Sequence, residues 1–341
     1  MLKSLRIQNF RSHDDFSRNF TDGPIIITGN NGVGKTTLME AIYIAMTGKS
    51  WRSNFREILQ KNQTWWRIDL VFTDKQTRTV KFIDNHKEFI INNKSSKTLP
   101  KNSHIPTLLF EPNDLMIIYG SPSRRREFFD RFISQIDPNF SRNLAKFERI
   151  LRQRNNLLKS GFATIDNLFV WDIQFAKLSY EISRQRAEII KLLNEKILRN
   201  YQQISGINDA SESNIKLKFI SDNYETDAII REIQSDFRSG ILTTKIGAQR
   251  DDYEFIFAKK NAKTSASRGE NRTFLFAILA SFAEILNDRF REKIYILLDD
   301  VDGELDANHR KNLYEIPAFR ENNLLVTTID FKGDVKNHIK L

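Results

Sequence analysis

A glycine-rich loop at residues 29–37 carries the clearest chemical signal in the chain. Its sequence fits the pattern G-x-x-x-x-G-K-[ST], in which backbone N–H groups and a lysine surround the phosphates of a nucleotide. Lys35 is expected to reach the β- and γ-phosphates, and Thr36 to ligate Mg²⁺ through its hydroxyl. The predicted nucleotide-binding residues of this loop are Gly29, Asn30, Asn31, Gly32, Val33, Gly34, Lys35, Thr36 and Thr37.

The segments on either side of the loop give the pattern its structural context. Residues 24–27 form an apolar run that predicts a buried strand, and residues 38–46 have the composition of a helix. Strand, glycine loop and helix together predict a phosphate-binding P-loop. The pattern without this context would also describe a glycine-rich turn that binds nothing.

Two aspartates follow a second buried strand, predicted over residues 294–298. Asp299 is placed to hold Mg²⁺, directly or through water. Asp300 is placed to act as general base on an attacking water, so that Asp300, Asp299 and Lys35 form the predicted catalytic set. A pair of solvated turn carboxylates is the alternative. Residues 303–306 are expected to open the next helix.

A second anion-binding surface is predicted further upstream. The residues Ser267, Arg268, Gly269 and Glu270 precede a strongly apolar helical segment at 274–280. A serine and a glycine at a helix start offer one hydroxyl and several exposed N–H groups to an anion. The same four residues also describe an ordinary helix cap. The P-loop, these four residues and the strand with its two aspartates follow one another along the chain in the order typical of an ABC-type ATPase. The four residues would form the signature motif of such a protein.

The elements that must position these residues are predicted to form sheets. The strand before the P-loop and the apolar runs at 294–298 and 324–326 are expected to share one sheet. Residues 1–10 alternate as a half-buried strand does, and short alternating runs within residues 65–93 predict an antiparallel β meander.

A helical insertion is predicted between the two halves of this α/β fold. From about residue 123 to 201 the apolar spacing becomes helical and glycine nearly vanishes, with a turn near Gly161. The second of the two long helices is expected to exceed about thirty residues. We therefore predict an ABC-type P-loop ATPase head, a mixed sheet with helices plus the antiparallel β meander, built from residues 1–114 and 241–341. An inserted α-helical arm domain would occupy residues 115–240.

Positive charge is concentrated at the start of the predicted arm. The chain of 341 residues has a net charge of +10, and residues 121–160 hold ten Lys or Arg against four Asp or Glu. One helical face of this segment suits a phosphate backbone and reads no base sequence. Arginines 124–126 and Arg154 belong to the same region, but pairing with carboxylates such as Glu127 is the alternative for the first three. The predicted DNA-binding residues are Arg142, Lys146, Arg149 and Arg152.

Composition excludes several other classes of protein. There is no cysteine, so disulfides and thiolate metal sites are excluded, and the five histidines have no ligand-like spacing. No run approaches the roughly 18 apolar residues that a membrane span needs, and no signal peptide is expected. We therefore expect no membrane partner, no zinc and a cytoplasmic location.

Five segments resemble the RecF family of bacterial DNA gap-repair proteins, an SMC-like branch of the ABC-type ATPases. Residues 120–131 are close to that family's pattern G-S-P-x-x-R-R-x-F-L-D. Residues 152–159 are similar to its K-Q-R-N-x-L-L-K and residues 247–252 to its G-P-H-R-D-D. Residues 9–12 and 49–52 also resemble family motifs, so the resemblance covers nearly the whole chain.

The resemblance implies an ATP-dependent homodimer with ATP and Mg²⁺ as cofactors. Each ATP would lie between the P-loop of one chain and the signature Ser267–Glu270 of the other. It further implies binding to double-stranded DNA near junctions of single and double strand, together with RecR/RecO-type mediators that help load recombinase at gaps. We also expect slow ATP hydrolysis, as the step that releases the dimer. The protein would then be nucleoid-associated. Arg11 is a further candidate for contacting nucleotide, with a salt bridge as the alternative.

Some positions depart from the family pattern. Ala266 and Glu270 stand where the signature usually has Leu and Gln, which would weaken dimer closure. Residues 248–249 are Ala-Gln where Pro-His is usual. Asp300 is one methylene shorter than the Glu common among ABC ATPases, so slow turnover is expected.

Three other functions compete with gap repair. An SMC-like ATPase of a nuclease-associated or defence system would usually add a metal-binding nuclease module, and no clustered Asp, Glu and His set stands outside the nucleotide site. A transporter ATP-binding subunit does not account for the basic helical insertion. A chromosome-organising SMC protein would need a far longer coiled coil than residues 140–204 provide.

Overall fold

The structure is a computed structural model that describes residues 1–206, 214–222, 225–301, 307–331 and 335–341. The strands of the described chain are β1 (Leu2–Phe10), β2 (His13–Asn19), β3 (Ile25–Thr28), β4 (Trp65–Phe72), β5 (Thr77–Ile83), β6 (His86–Ile91), β7 (Lys94–Ser96), β8 (Thr107–Phe110), β9 (Lys216–Ile220), β10 (Asp252–Phe257), β11 (Lys260–Asn261), β12 (Tyr295–Leu298), β13 (Asn323–Thr328) and β14 (Asn337–Lys340).

Helices connect these strands and form most of the middle of the chain. They are α1 (Lys35–Thr47), α2 (Met116–Tyr119), α3 (Pro122–Ile136), α4 (Pro138–Lys159), α5 (Ile165–Asn194), α6 (Ile197–Ser205), α7 (Thr226–Arg238), α8 (Ala262–Ser265), α9 (Arg268–Phe290), α10 (Ala307–Glu315) and α11 (Pro317–Arg320). The predicted helix start at 303–306 lies outside the described residues.

The predicted β meander is confirmed as part of a six-stranded antiparallel sheet. Its strand order is β2-β1-β4-β5-β6-β7. Every second residue of β4 is buried, as the alternating sequence predicts for a sheet with one face on the core. Trp66 on this face stacks on Phe82 at 5.9 Å between ring centroids, and its indole N–H donates to the carbonyl of Phe55. The aromatic residues therefore fill the core under this sheet.

The predicted sharing of one sheet by the P-loop strand and the late strands is also confirmed. A five-stranded sheet has the order β14-β3-β13-β12-β8, and all its pairings are parallel. All four residues of β3, β8 and β12 are buried, as expected of parallel strands that are covered on both faces. Since parallel strands end at the same edge, the loops after β3 and β12 meet there.

The helical region contains two long antiparallel helices, as predicted. The first, α4, ends at Lys159, and the turn passes through Gly161, whose φ of 77° lies in the left-handed region that favours glycine. Thr164 then begins α5 with a capping box to Asn167. Phe147 stacks on Phe175 at 5.3 Å between the two helices.

Two details of the helical region differ from the sequence-based expectation. The second helix ends at Asn194 after 30 residues rather than continuing, and the side chain of Asn194 bonds both backbone groups of Leu217. Arg154 does not join the exposed basic face. It is 1% exposed and donates to Asp172 at 2.7 Å and to Thr244 at 2.6 Å, because burial of a guanidinium requires such partners.

The chain divides into two compact units. The first comprises Met1–Pro112, Gln203–Ser205 and Leu286–Leu341, and the second comprises Asn113–Gln202 and Gly206–Ile285. The predicted head and arm boundaries at residues 115 and 240 stay a prediction. Within the described part of the chain, no helix combines the length and the apolar character needed to cross a bilayer.

Candidate nucleotide-binding site

The P-loop connects the buried strand β3 to the helix α1 through three glycines with positive φ. Gly34 has a φ of 106° and begins α1. A Cβ atom at this position would lie 2.5 Å from the Nε2 atom of His13, so both the backbone conformation and the space require glycine. Gly29 has a φ of 151°, and a Cβ there would lie 2.9 Å from the Val33 side chain. The loop is therefore built around glycine, as the motif predicts.

The Lys35 side chain folds back over the P-loop and contacts its backbone. Its Nζ atom donates to the carbonyl oxygens of Gly29 at 2.6 Å and Asn30 at 3.1 Å, and the residue is only 6% exposed. These contacts hold the ammonium group over the curled backbone. A phosphate entering the loop would meet this fixed positive charge together with the N–H groups at the start of α1.

The two halves of the predicted magnesium site meet in the first compact unit. The hydroxyl of Thr36 donates to Asp299, with both carboxylate oxygens at 3.0 Å. Thr327 donates to the same carboxylate at 2.6 Å. Burial raises the pKa of the Asp299 carboxyl above its ordinary value, although the hydrogen bonds from Thr327 and Thr36 oppose this effect. A divalent cation would compensate the buried negative charge.

Asp300 stands beside this carboxylate in an unusual backbone conformation. Its φ is 50°, a left-handed value that aspartate tolerates better than most residues. Its N–H group donates to the Thr327 hydroxyl at 2.9 Å, which fixes the turn after β12. The structure thus brings Lys35, Thr36, Asp299 and Asp300 together within one unit.

A polar cavity of about 320 Å³ lies in front of these residues. Two of its lining residues, Ser12 and Arg52, were not identified as site residues from the sequence. Arg52 belongs to the segment 49–52 that resembles a family motif, but no spacing rule connects that segment to a nucleotide. The cavity is lined by Ser12, Asn31, Gly32, Gly34, Lys35, Thr36, Thr37, Arg52 and Asp300.

The donor set fits Mg²⁺ rather than a protein-caged metal. Mg²⁺ is usually held by one or two carboxylates together with substrate phosphates and water. Asp299 and the Thr36 hydroxyl offer that arrangement. Over the described residues, no group of three or more His, Cys, Asp or Glu is placed to hold a metal ion by itself.

Arg11 forms a salt bridge at the edge of the core, which is the alternative that the sequence left open. Its guanidinium bonds both oxygens of Glu40 at 2.5 and 2.9 Å and the hydroxyl of Ser53 at 2.7 Å. Glu40 is fully buried in α1 and also accepts from Ser50 at 2.6 Å. This network fixes residues 50–53 and hence the loop that carries Arg52. A direct contact between Arg11 and nucleotide stays a prediction.

The four signature residues form a capping box in the second unit. The N–H of Ser267 donates to the Glu270 carboxylate at 2.6 Å, and the N–H of Glu270 donates to the Ser267 hydroxyl oxygen at 3.2 Å. Arg268 begins α9, and a Cβ on Gly269 would meet nothing within 4 Å. The helix start is therefore open on the glycine side, while Glu270 adds negative charge to it.

The predicted DNA-binding face is exposed on α4. The side chains of Arg142, Lys146, Arg149 and Arg152 are all exposed. Their spacing of three or four residues places them along one side of the helix. This arrangement is compatible with phosphate contacts and leaves the DNA role a prediction.

The arginines that begin α3 are organised differently. Arg125 pairs with Asp252 through two bonds of 2.6 and 2.9 Å, and Arg126 donates to the carbonyl oxygen of Asp251 at 2.8 Å. Asp251 also accepts from the buried Arg186 at 2.8 Å. The carboxylate partner of Arg125 is thus Asp252, which is not among the carboxylates that the sequence offered as the alternative, and two segments that resemble family motifs meet here.

Fold and site together define the protein as a P-loop ATPase of mixed α/β architecture. A family model described as AAA domain matches residues 4–313. A curated protein named DNA replication and repair protein RecF, from Leptospira interrogans serovar copenhageni, is 31% identical over 97% of this chain and 92% of its own length. The chain therefore belongs to the RecF family.

Other relatives and solved structures agree with this assignment. The RecF protein of Acholeplasma laidlawii is 28% identical over 96% of this chain and 93% of its own length. A structure titled recombination mediator protein RecF-ATP in RecFOR pathway has a TM-score of 0.82, with 27% identity over 98% of this chain and 93% of that one. An Smc head bound to a domain of ScpA, at 15% identity and a TM-score of 0.54, covers 96% of this chain and 89% of that chain and shares the fold alone.

Proposed function

We propose that the protein is an ATP-dependent DNA-binding protein of recombinational gap repair and replication-fork maintenance. The observation that carries this proposal is the meeting of Thr36 with Asp299 and Asp300 at one sheet edge, in a chain of the RecF family. This arrangement suits Mg²⁺ and the triphosphate of ATP, and the family relation supplies DNA as the partner. The protein acts in the cytoplasm, on the nucleoid.

ATP acts as a conditional link between two copies of the chain. The P-loop of one copy binds the phosphates, and Ser267, Arg268, Gly269 and Glu270 of the other copy approach the γ-phosphate. The capping box supports this role, because the Ser267 oxygen accepts from Glu270 and leaves the hydroxyl proton available to a phosphate oxygen. Gly269 leaves room for that approach.

ATP hydrolysis is slow and releases the link. Thr36 and Asp299 would hold Mg²⁺, which would add to the positive charge that Lys35 places beside the phosphates, and Asp300 orients the attacking water. The short side chain of Asp300 and the negative charge of Glu270 are the two features that support weak activity. The enzyme is thus a switch rather than a motor.

DNA is held through its phosphates rather than its bases. The exposed residues Arg142, Lys146, Arg149 and Arg152 line one helix face, and contacts of this type position a duplex without reading its sequence. The closed dimer favours double-stranded DNA beside single-strand/duplex junctions. There it works with RecR/RecO-type mediators to load recombinase. The RecFOR pathway named for a structural relative supports these partners.

Equilibrium binding of labelled DNA tests the proposal. Gapped duplex, intact duplex and single strand are titrated with the wild type and with Lys35→Ala, each with and without Mg-ATP. We expect ATP to increase the affinity of the wild type for gapped and intact duplex, and to leave Lys35→Ala unchanged. ATP-independent binding of all three DNAs, equal for wild type and variant, would contradict the proposal.

A further inference from the structure

An exposed apolar stripe runs from the turn before α5 to the middle of that helix, within the second compact unit. Phe162 is 79% exposed and Val170 is 58% exposed, which is unusual for side chains of this size. We call these residues and their neighbours the α5 stripe. It consists of Phe162, Ile165, Phe169, Val170, Ile173 and Tyr180.

The α5 stripe is a continuous face rather than a scatter of single residues. Each residue turns the helix by about 100°, so the stripe residues within α5 fall in one arc of about 140°. The opposite side holds the buried Leu168, Phe175 and Ile182, which pack into the unit. The stripe is therefore an additional apolar face that the fold of this unit does not cover.

Two opposite charges border the centre of the stripe. Asp166 and Lys177 are both exposed and lie eleven positions apart, which is about three helical turns. They consequently point to the same side of the helix as Phe169 and Ile173. Across the residues that the structure describes, neither side chain forms an ion pair.

The same side of α5 changes character beyond the stripe. Arg184 pairs there with Glu181 and Glu188 of its own helix. These charges satisfy one another on the surface, as in an ordinary solvated helix face. The apolar face is thus limited to the half of α5 that follows the turn at Gly161.

We propose that the α5 stripe binds the same stripe of a second copy of this chain, with the two helices antiparallel. A two-fold axis near residue 171 places Asp166 opposite the partner's Lys177, and Lys177 opposite the partner's Asp166. The same arrangement sets Ile173 against the partner's Val170. An isologous contact requires this self-complementarity of charge and apolar surface. A partner protein of strong net charge would instead leave one of the two charges unmatched.

The contact is weak and independent of nucleotide. One helix face on each side lies at or below the lower end of the roughly 1,200–2,000 Å² buried in stable interfaces. Dissociation constants in the micromolar range are therefore expected. The contact uses no residue of the nucleotide site or of the signature, so it is distinct from the ATP-linked dimer proposed above.

Disulfide trapping tests the proposal, because the chain contains no cysteine. In Ile173→Cys the two introduced thiols would be about 5 Å apart along the helix axis, and mild oxidation is expected to link two full-length chains without nucleotide. Leu192→Cys is the matched control, since this exposed position on the same helix would be about 60 Å from its copy. Equal trapping of both variants, or none of Ile173→Cys at high protein concentration, would overturn the proposal.

A charge exchange in the Ile173→Cys background identifies the occupant. Asp166→Lys and Lys177→Asp alone are each expected to reduce trapping several-fold, and the double exchange to restore it. Failure of the double exchange to restore trapping would show that the two stripes do not meet in this antiparallel register, and would overturn the proposal. Trapping that requires ATP and is lost in Ser267→Arg would make the contact a by-product of the ATP-linked dimer, and would also overturn the proposal. Circular dichroism checks that each variant is folded.

Discussion

The hydroxyl of Thr36 lies 3.0 Å from both carboxylate oxygens of Asp299, although the two residues are 263 positions apart in the chain. One stands at the start of α1 and the other at the end of β12, so the parallel sheet alone brings them together. Their oxygens are the pair that Mg²⁺ would share with ATP. The buried carboxylate destabilises the nucleotide-free protein until a cation binds.

This cost predicts that Asp299→Asn stabilises the nucleotide-free protein. The substitution removes a buried charge and keeps an oxygen that can accept from Thr327. Burial raises the pKa of Asp299 above its ordinary 3.8, so at neutral pH the charged carboxylate lowers the free energy of unfolding of the wild type by its full amount. This destabilisation becomes smaller as the pH falls through the pKa of Asp299 in the folded protein toward its pKa in the unfolded chain.

Thermal unfolding measures this effect. Asp299→Asn should have the higher melting temperature at neutral pH, with a smaller difference in mild acid, and should gain nothing from Mg-ATP. A variant that melts below the wild type at neutral pH without nucleotide would show that the carboxylate is not under strain.

Asp300 is predicted to limit turnover. Asp300→Asn should slow steady-state ATP hydrolysis by about 10²–10⁴-fold while ATP binding persists, because only the proton acceptor is lost. Asp300→Glu should hydrolyse faster than the wild type, since the longer side chain reaches the water better. An unchanged or slower rate in Asp300→Glu would count against Asp300 as the base.

Glu270 is predicted to weaken the ATP-linked dimer through its charge. Glu270→Gln keeps the capping box with Ser267 and removes a negative charge from a helix start that should face a phosphate. The dimer should become a few-fold tighter, corresponding to roughly 0.3–1 kcal/mol. Sedimentation with Mg-ATP measures this, and Glu270→Ala, which also loses the cap, is the control. A looser Glu270→Gln dimer would refute the electrostatic argument.

The exposed face of α4 is predicted to contact DNA phosphates. Lys146→Glu and Arg149→Glu should each reduce duplex affinity and lower the slope of log K against log salt by about 0.9 for each lost contact. Lys191→Glu, which changes another exposed lysine on α5, is the matched control. Unchanged affinity and slope in both α4 variants would show that DNA lies elsewhere.

Much of the architecture could be predicted because its signals are local. The P-loop lies between a four-residue buried strand and a helix, and alternation along Trp65–Phe72 indicates a half-buried strand. Burial of Ile296 and its neighbours likewise follows from a short apolar run. Local pattern and fold agree at these places.

The remaining features depend on partners that are distant in sequence. Arg154 looks like part of a basic face, but Asp172 and Thr244 provide the bonds that bury it. Arg125 pairs with Asp252, which lies 127 positions later in the chain. Arg52 lines the cavity because its loop is tied to buried Glu40, which no spacing rule could show. Side chains of this kind are placed by tertiary structure.

Mixing two inactive variants gives the most direct measurement of the central claim, a nucleotide shared between two chains. Lys35→Ala lacks a P-loop lysine and Ser267→Arg has a blocked signature, so Mg-ATP should not increase the dimer fraction of either variant in sedimentation velocity. The mixture should form a dimer, because the P-loop of one variant and the signature of the other rebuild one complete site. A mixture that stays monomeric while the wild type dimerises, or a wild type that never dimerises with ATP, would contradict the account.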